Sequence, residues 1–374
     1  MTNSNAMGII FANMHDANIP ELIAHRTMAS IPFGGRYRMV DFGLSGMANA
    51  GIHNIGVVVR ENYQSLMDHL GSGREWDLSR KRGGLVIFPP RGRHSGRLYQ
   101  GRIEALNSVM EYLTFCREEL VVLSDCDTAC NLDYSELIKS HRASGANVTA
   151  VYEKSSIAEG MLDDNITYAL SDDGYVTDIR INDYKKGSQN LSMYIYVIGR
   201  ELLISIIRDA VVRGLEDFER DILARNLKLL KVKGYHFSGY RARICDMHSY
   251  FDQNLRLLKP ENLEKLFLAQ RPIYTKVRDE APVRYAIGAR VVNCLAADGC
   301  IVAGEVENSV LFRGVRVGKG AMLKNCVVMQ GSVIEPGVVL ENVITDKNVT
   351  ICEGQVLRGS PSFPMFIGKG SRVV

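Results

Sequence analysis

The sequence predicts a two-domain protein in which an α/β domain with a mostly parallel sheet is followed by a parallel β-helix. Two observations support this prediction. Short apolar runs alternate with helix-like segments in the first half, and apolar residues recur every six positions near the C-terminus. A chain of 374 residues is long enough for two separate cores.

In the first domain, three apolar runs are predicted to be buried strands, at residues 55–59, 120–123 and 146–151. Helix-like patterns occur at residues 63–70, 102–115 and 134–144. Strands that alternate with helices favour a mostly parallel sheet covered on both faces. Ligands of such sheets bind at the carboxyl ends of the strands, so we expect functional residues just after each strand.

In the second domain, residues at steps of six are mostly apolar: Val315, Ala321, Val327, Val333, Val339, Thr345 and Ile351. This repeat is typical of a parallel β-helix that buries a side chain at each corner, with chance alternation in an ordinary sheet as the alternative. Pro260, Pro272 and Pro282 suggest a linker. The predicted domains are therefore residues 1–258 and 288–374, with a linker at 259–287.

Composition indicates an ordinary cytoplasmic protein. The net charge of +3 is small beside 45 basic and 42 acidic residues, so it does not point to a nucleic-acid partner. The eight cysteines include no CxxC pair, and we expect reduced thiols rather than a zinc site. Neither a signal peptide nor an apolar run of membrane-spanning length is evident, so no membrane association is expected.

Segment 32–42, PFGGRYRMVDF, resembles the PFGGKYRLIDF block of the ADP-glucose pyrophosphorylases (glucose-1-phosphate adenylyltransferases). Other segments resemble the family in the same order: WDLSRKRGG at 76–84, YQGRIEA at 99–105, DCD at 125–127, LSMYIYV at 191–197 and NSVLF at 308–312. The resemblance covers nearly the whole chain. It implies a Rossmann-like nucleotidyltransferase domain and a left-handed β-helix with hexapeptide repeats. It also implies adenylyl transfer from ATP to glucose 1-phosphate with Mg²⁺, in glycogen biosynthesis.

The chain departs from the family where phosphates and metal are held. The family's glycine-rich loop is absent, since no glycine lies between positions 8 and 34. Met28 and Asn182 align with two phosphate-binding lysines, and Arg243 aligns with a metal-binding aspartate. Asp246 could replace that aspartate only with a shift of register. At about 2 kcal/mol each, three such losses lower the rate roughly 10⁴-fold.

This pattern resembles the GlgD-type regulatory subunit of the family, which assembles with a catalytic GlgC-type subunit. The implied protein is catalytically weak or inactive alone and works in a hetero-oligomer, expected to be a tetramer. The alternative is a competent sugar-1-phosphate nucleotidyltransferase with a divergent active site. A hexapeptide-repeat acyltransferase is disfavoured, because no histidine follows His248.

Candidate site residues follow from the matched segments. No residue is assigned as catalytic with confidence, and Asp127 is the candidate for a vestigial catalytic aspartate and metal ligand, or else a capping carboxylate. The candidates for substrate binding are Tyr99, Gly101, Glu104 and Ser192. The candidates for binding a nucleotide or a phosphorylated sugar effector are Arg80, Arg82, Gly83, Gly84 and Arg102. The alternatives are a solvated basic loop over 74–102 and a salt bridge from Arg102 to Glu104 or another neighbour.

Two further expectations concern the rest of the chain. The histidines show no ligand spacing and are interpreted as structural or surface residues: His15, His25, His53, His69 and His94. The β-helix is predicted to be an assembly surface, with an apolar flank formed by Val338, Leu340, Ile344 and Phe366.

Overall fold

The computed structural model describes residues 4–90, 101–157 and 165–374, and it has the two-part architecture expected from the sequence. The strands of the first part are β1 (Ala6–Phe11), β2 (Pro32–Phe33), β3 (Tyr37–Arg38), β4 (Asn54–Val58), β5 (Gly84–Phe88), β6 (Leu120–Asp125), β7 (Thr128–Cys130), β8 (Val148–Ser156), β9 (Ile166–Leu170), β10 (Val176–Ile181), β11 (Ser188–Gly199), β12 (Val232–His236) and β13 (Arg241–Arg243).

The helices that accompany these strands are α1 (Pro20–Ile23), α2 (Met39–Asn49), α3 (Gln64–Leu70), α4 (Arg102–Ser108), α5 (Met110–Phe115), α6 (Tyr134–Ser144), α7 (Arg200–Arg213), α8 (Met247–Arg256) and α9 (Pro260–Leu266). The helix predicted over 102–115 is thus two helices, which meet at Val109. Among the described residues, no helix combines the length and apolarity that crossing a bilayer requires.

The main sheet is mixed but contains a parallel block in the order β5-β4-β1-β6. Strand β11 then pairs antiparallel with β6 and with β8. Along β1, Ile10 packs into one hydrophobic cluster, whereas Ile9 and Phe11 pack into another on the opposite face. Burial on both faces explains why β1 has a nearly continuous apolar sequence. The carboxyl ends of β1, β4 and β6 lie at the same edge.

The C-terminal part is a left-handed parallel β-helix with three sheets. Its strands are β14 (Arg284–Tyr285), β15 (Arg290–Val292), β16 (Leu295–Ala296), β17 (Ile301–Val302), β18 (Glu305–Glu307), β19 (Val310–Leu311), β20 (Arg316–Val317), β21 (Met322–Lys324), β22 (Val327–Val328), β23 (Val333–Ile334), β24 (Val339–Glu341), β25 (Val343–Thr345), β26 (Thr350–Ile351), β27 (Val356–Arg358), β28 (Met365–Ile367) and β29 (Arg372–Val373). The first strand begins inside the segment predicted as a linker, which also contains α9.

The coils of the β-helix do not keep a strict six-residue step. Val310, Val327 and Ile344 stack as partners in successive coils and stand 17 residues apart, whereas three steps of six would give 18. Val333 and Val339 are therefore only half-buried. Asparagines recur between the coil strands and take the left-handed backbone conformation, which they tolerate well: Asn293, Asn308, Asn325 and Asn342.

One sheet of the β-helix, β16-β19-β22-β25-β28, packs against the first domain. Val327 and Ile344 belong to the same hydrophobic cluster as Phe33, Phe42 and Tyr250. A buried ion pair crosses the same boundary, because the guanidinium of Arg26 donates to both carboxylate oxygens of Asp346 at 2.7 and 2.8 Å. The two domains therefore share one apolar core.

The predicted apolar flank of the β-helix was wrong. Val338 and Leu340 are buried inside the coil, and Ile344 is buried beneath the first domain. Phe366 is half-buried against that same domain. A six-residue pattern shows that a position is apolar but does not show which wall another domain covers. The exposed apolar side chains of the β-helix are instead Tyr285, Ile287, Val292, Ile301, Met322, Val356, Phe363, Met365 and Val374.

Candidate functional site

The loop after β1 replaces the family's glycine-rich loop and is closed by its own side chains. The carboxylate of Asp16 accepts hydrogen bonds from the Asn13 amide at 2.5 Å and from the Met28 backbone N–H at 2.9 Å. Burial raises the pKa of Asp16, although both hydrogen bonds oppose that rise. Met28 itself points into the apolar core rather than toward the sheet edge. The N–H donors of Asn13 and Met28 are therefore bonded to Asp16 and do not face a ligand.

Two aspartates lie at the carboxyl end of β6, and cations of the same chain surround both. The imidazole Nε2 of His15 is 2.8 Å from Asp125 Oδ2 and 3.9 Å from Asp127 Oδ2. Arg102 Nη2 donates to Asp125 Oδ2 at 2.5 Å. Arg243 Nε donates to Asp127 Oδ2 at 2.7 Å. All five side chains are at least nine-tenths buried.

Arg102 and Asp127 are held in their charged forms. Burial alone would raise the pKa of Asp127, but the charges of His15, Arg243 and Arg241 bring it below its ordinary value. Burial opposes the charge of Arg102, yet Asp125 and nearby groups raise its pKa. Arg102 also pairs with Glu219 and stacks over the ring of Phe11 at 5.2 Å. The salt-bridge interpretation of Arg102 is thus the one observed, with Asp125 and Glu219 rather than Glu104 as partners.

These residues do not fit a magnesium ion. Mg²⁺ needs carboxylate oxygens that face it and tolerates no cation in their place. Asp127 Oδ2 instead accepts from Arg243, and Asp125 Oδ2 accepts from His15 and Arg102. Asp246 does not replace the missing ligand, because it caps α8 by accepting from the Ser249 N–H at 2.6 Å. No group of three or more His, Cys, Asp or Glu placed to hold a metal occurs within the described ranges.

A cleft of about 490 Å³ opens beside this cluster, and acidic side chains outnumber basic ones among its charged lining residues. The charged residues around it are His15, Arg102, Glu216, Asp217, Glu219, Arg220 and Asp221. Asn182, which aligns with a sugar-phosphate lysine, lines the same cleft in a left-handed conformation. The cleft therefore has an excess of negative charge, which opposes the entry of a phosphorylated ligand.

The candidate substrate residues take different places. Gly101 lines the cleft, and a Cβ there would collide with the carbonyl oxygen of Glu216, so this position requires glycine. Glu104 is exposed on α4. Ser192 is buried outside the cleft lining, and its hydroxyl accepts from the Tyr168 hydroxyl at 2.8 Å. Tyr99 lies outside the described residues.

The candidate anion-binding residues are not brought together. Gly84 begins β5 and pairs with Asn54 at the start of β4, so the segment 80–84 lies at the amino edge of the sheet. Arg80 pairs there with Asp77, and Arg82 is exposed. Arg102 lies at the carboxyl edge. The five candidates therefore do not form one site, because segment 80–84 leads into the amino end of β5 whereas Arg102 reaches the opposite edge.

A second site lies between the domains and is strongly basic. Its basic lining residues are Arg36, Arg38, His69, Lys276, Arg278, Arg313 and Lys347, and no carboxylate is among the described residues that line it. Asp298 lies just outside, 3.9 Å from Arg36 and 3.4 Å from Arg313. Arg313 Nη2 is buried without a hydrogen-bond partner in the described structure. Such donors suit a divalent oxyanion.

Sequence reasoning missed several of these groups. Asp125 ends β6, and His15 lies in the loop that follows β1, so the strand-end rule could have selected both. Glu219 gave no signal, because it lies in an irregular π-helical turn, Phe218–Leu223. The basic site could not be found either, because its basic residues come from five separate segments of the chain.

Comparison with known proteins agrees with this architecture. Residues 23–160 match the family described as "Nucleotidyl transferase", and residues 283–360 match "GlmU-like, C-terminal hexapeptide". The "Glycogen biosynthesis protein GlgD" of Bacillus subtilis (strain 168) is 34% identical over 370 residues, which cover 99% of this chain and 97% of that protein. The GlgD of Geobacillus stearothermophilus is 34% identical over 86% of this chain and 83% of its own length.

An enzyme is similar over almost the same span. The "Glucose-1-phosphate adenylyltransferase" of Clostridium perfringens (strain SM101 / Type A) is 30% identical over 366 residues, 95% of this chain and 92% of that protein. The similarity thus extends through both domains. The chain therefore belongs to the ADP-glucose pyrophosphorylase family, and it resembles both the glycogen biosynthesis proteins named GlgD and the adenylyltransferases.

Proposed function

We propose that this protein is a regulatory subunit of a glucose-1-phosphate adenylyltransferase in cytoplasmic glycogen biosynthesis, with weak or no activity of its own. The observation that supports this proposal is the neutralisation of Asp125 and Asp127 by His15, Arg102 and Arg243. The carboxylates that would hold a metal ion are thus paired with cations of the same chain, and these cations are not available to bind the phosphates of the substrates.

The reaction makes ADP-glucose and pyrophosphate from ATP and glucose 1-phosphate, and its catalysis depends on positioning and charge neutralisation. Here the loop that would face the phosphates carries Asp16, and the cleft beside it is acidic. Each lost charge-assisted contact costs roughly 1.5–3 kcal/mol. Several losses together bring the rate far below that of an ordinary enzyme.

The proposed partner is a catalytic GlgC-type subunit in a hetero-oligomer, and the proposed effector is a phosphorylated sugar or a nucleotide. The basic site between the domains is the candidate effector site, because its unpartnered donors suit a phosphate. Exposed apolar residues of the β-helix, such as Met322 and Val356, are candidates for subunit contact.

The first experiment measures turnover of the purified chain alone and together with its catalytic partner. We expect turnover of the chain alone to lie below roughly 1 s⁻¹, the lower end of the ordinary range. The pair should differ from the catalytic subunit alone in its kinetic parameters. A turnover number inside the ordinary range for the isolated chain would instead favour the competent enzyme with a divergent site.

The second experiment tests assembly. Met322→Glu or Val356→Glu should weaken co-purification with the partner, because each places a charge on an exposed strand of the β-helix. Val211→Glu is the matched control, since Val211 is a comparably exposed apolar residue on α7 of the first domain, at 45% against 48% for Met322 and 56% for Val356. If all three variants assemble equally, the partner contacts another surface.

A further inference from the structure

Lys347 has an unusual place in the basic site between the domains. It follows Asp346 in the β-helix and is half-buried. Positive groups surround it from three parts of the chain: Arg26 in the loop between α1 and β2, Arg38 in β3, and Lys369 in the next coil of the β-helix. Other cations of the site line the same space: Arg36, Lys276, Arg278 and Arg313.

The carboxylates near the site are already engaged. Both carboxylate oxygens of Asp346 accept from Arg26, and its Oδ1 also accepts from the Lys347 backbone N–H at 2.7 Å. Asp298 lies against Arg36 and Arg313. Asp41 bonds to His69 at 2.6 Å. The ammonium group of Lys347 therefore has no hydrogen-bond or ion-pair partner among the described residues. An unpaired cation among other cations is destabilised in its charged form.

The other polar groups of the site behave differently. Arg38 donates to the Ser65 carbonyl at 2.5 Å, and Lys276 donates to the Asp68 carbonyl. Burial lowers the pKa of His69 despite its bond to Asp41, so His69 is neutral near pH 7. Burial, together with Arg38 and Arg26, lowers the pKa of Lys347 to about 7. Lys347 is thus the lining group whose charge changes near neutrality.

We propose that Lys347 is a proton-linked anchor of this site: the site takes up a proton at Lys347 when a divalent oxyanion binds, and its affinity falls as the pH rises. The inference rests on the anion-binding role proposed above for the same site. A bound dianion places negative charge beside Lys347. This charge stabilises the ammonium form and raises the pKa of Lys347 in the loaded site.

The sign and size follow from linkage. Lys347 is mostly charged below about pH 7 in the empty site and mostly neutral above it, whereas in the loaded site it stays charged to higher pH. Affinity should therefore fall about tenfold between pH 6 and pH 8, and nearly one proton should be taken up per anion bound at pH 8.

The experiment uses inorganic sulfate, because sulfate remains divalent over this pH range and phosphate does not. Calorimetric titrations of the full chain at pH 6, 7 and 8, in two buffers with different ionisation enthalpies, give affinity and proton uptake together. Lys347→Arg keeps a permanent charge, so its sulfate affinity should be nearly independent of pH, without proton uptake. Lys369→Met is the matched control, since it removes an exposed neighbouring charge and should keep the proton uptake.

The outcomes separate this inference from the proposed function. Failure of sulfate to bind at every pH would show that the site is not an anion site at all. Sulfate binding without proton uptake in the parent chain, or equal uptake in Lys347→Arg, would overturn the role of Lys347 while leaving the anion site intact.

Discussion

Breaking the buried ion pair between Arg26 and Asp346 should destabilise the whole protein. Both side chains are almost fully buried, at 2% and 3% exposure, and Arg26 Nη2 donates to both carboxylate oxygens of Asp346. Asp346→Asn leaves the guanidinium buried without its counter-charge, and Arg26→Met leaves the carboxylate in the same state. Removing one partner of such a pair costs about 3–5 kcal/mol, mainly because an uncompensated charge stays buried.

The expected change in melting temperature follows from the size of the chain. With an unfolding entropy of roughly 2.1 cal/mol/K per residue, 374 residues give about 0.8 kcal/mol/K. A loss of about 4 kcal/mol therefore lowers the melting temperature by about 5 °C. The double variant should lose less than the sum of the two single variants, because it leaves neither charge unpaired.

Urea and thermal unfolding of the two single variants and the double variant form the test. Arg213→Ala is the matched control, because Arg213 pairs with Asp209 at 2.8 Å on an exposed face of α7. Such a surface pair contributes only about 0–1 kcal/mol. The reasoning is refuted if both buried-pair variants unfold within about 1 kcal/mol of the parent protein, as the surface control should.

Three other predictions concern stability. Asp246→Ala should lower the free energy of unfolding by about 1 kcal/mol, because α8 loses its N-cap, whereas Asp246→Asn should lower it by only a few tenths. Urea unfolding measures both values, and equal losses would contradict the capping role. Gly101→Ala should lower the melting temperature by about 1–4 °C, because its Cβ collides with the Glu216 carbonyl, and an unchanged value would contradict that geometry. Lys347→Met should stabilise the protein in the absence of ligand. The pKa of Lys347 is about 7 in the folded protein and about 10.5 in the unfolded chain. Lys347 therefore destabilises the folded state increasingly as the pH falls from about 10.5 to about 7. The gain in melting temperature should therefore be larger at pH 7 than at pH 10, and the reverse order would disprove the assigned shift.

The fold could be predicted because its signals are local. Residues 120–123 are apolar on both faces of β6, and this pattern is typical of a buried strand or a buried helix. The position of Asp127 just after that strand also placed it correctly at the carboxyl edge. These conclusions need only neighbouring residues and the direction of one strand.

The errors concern long-range packing. Arg80 and Arg102 are near in sequence, yet one precedes β5 and the other reaches the end of β6, so they lie at opposite edges of the sheet. Ile344 was predicted to lie on an exposed flank, but it is buried because the first domain covers that wall of the β-helix. The basic site joins Arg38 with Lys347, and no local pattern relates residues so far apart.

The apolar core shared by the two domains has a consequence for why the first domain is present at all. One wall of the β-helix, including Val327 and Ile344, meets no water because Phe33 and Tyr250 cover it. Without that cover, the wall would be a contiguous apolar surface of the kind that drives aggregation. A chain that no longer performs transferase chemistry would still need the first domain, since the β-helix depends on it for solubility. Packing against the β-helix is therefore a reason to retain this domain that does not depend on catalysis.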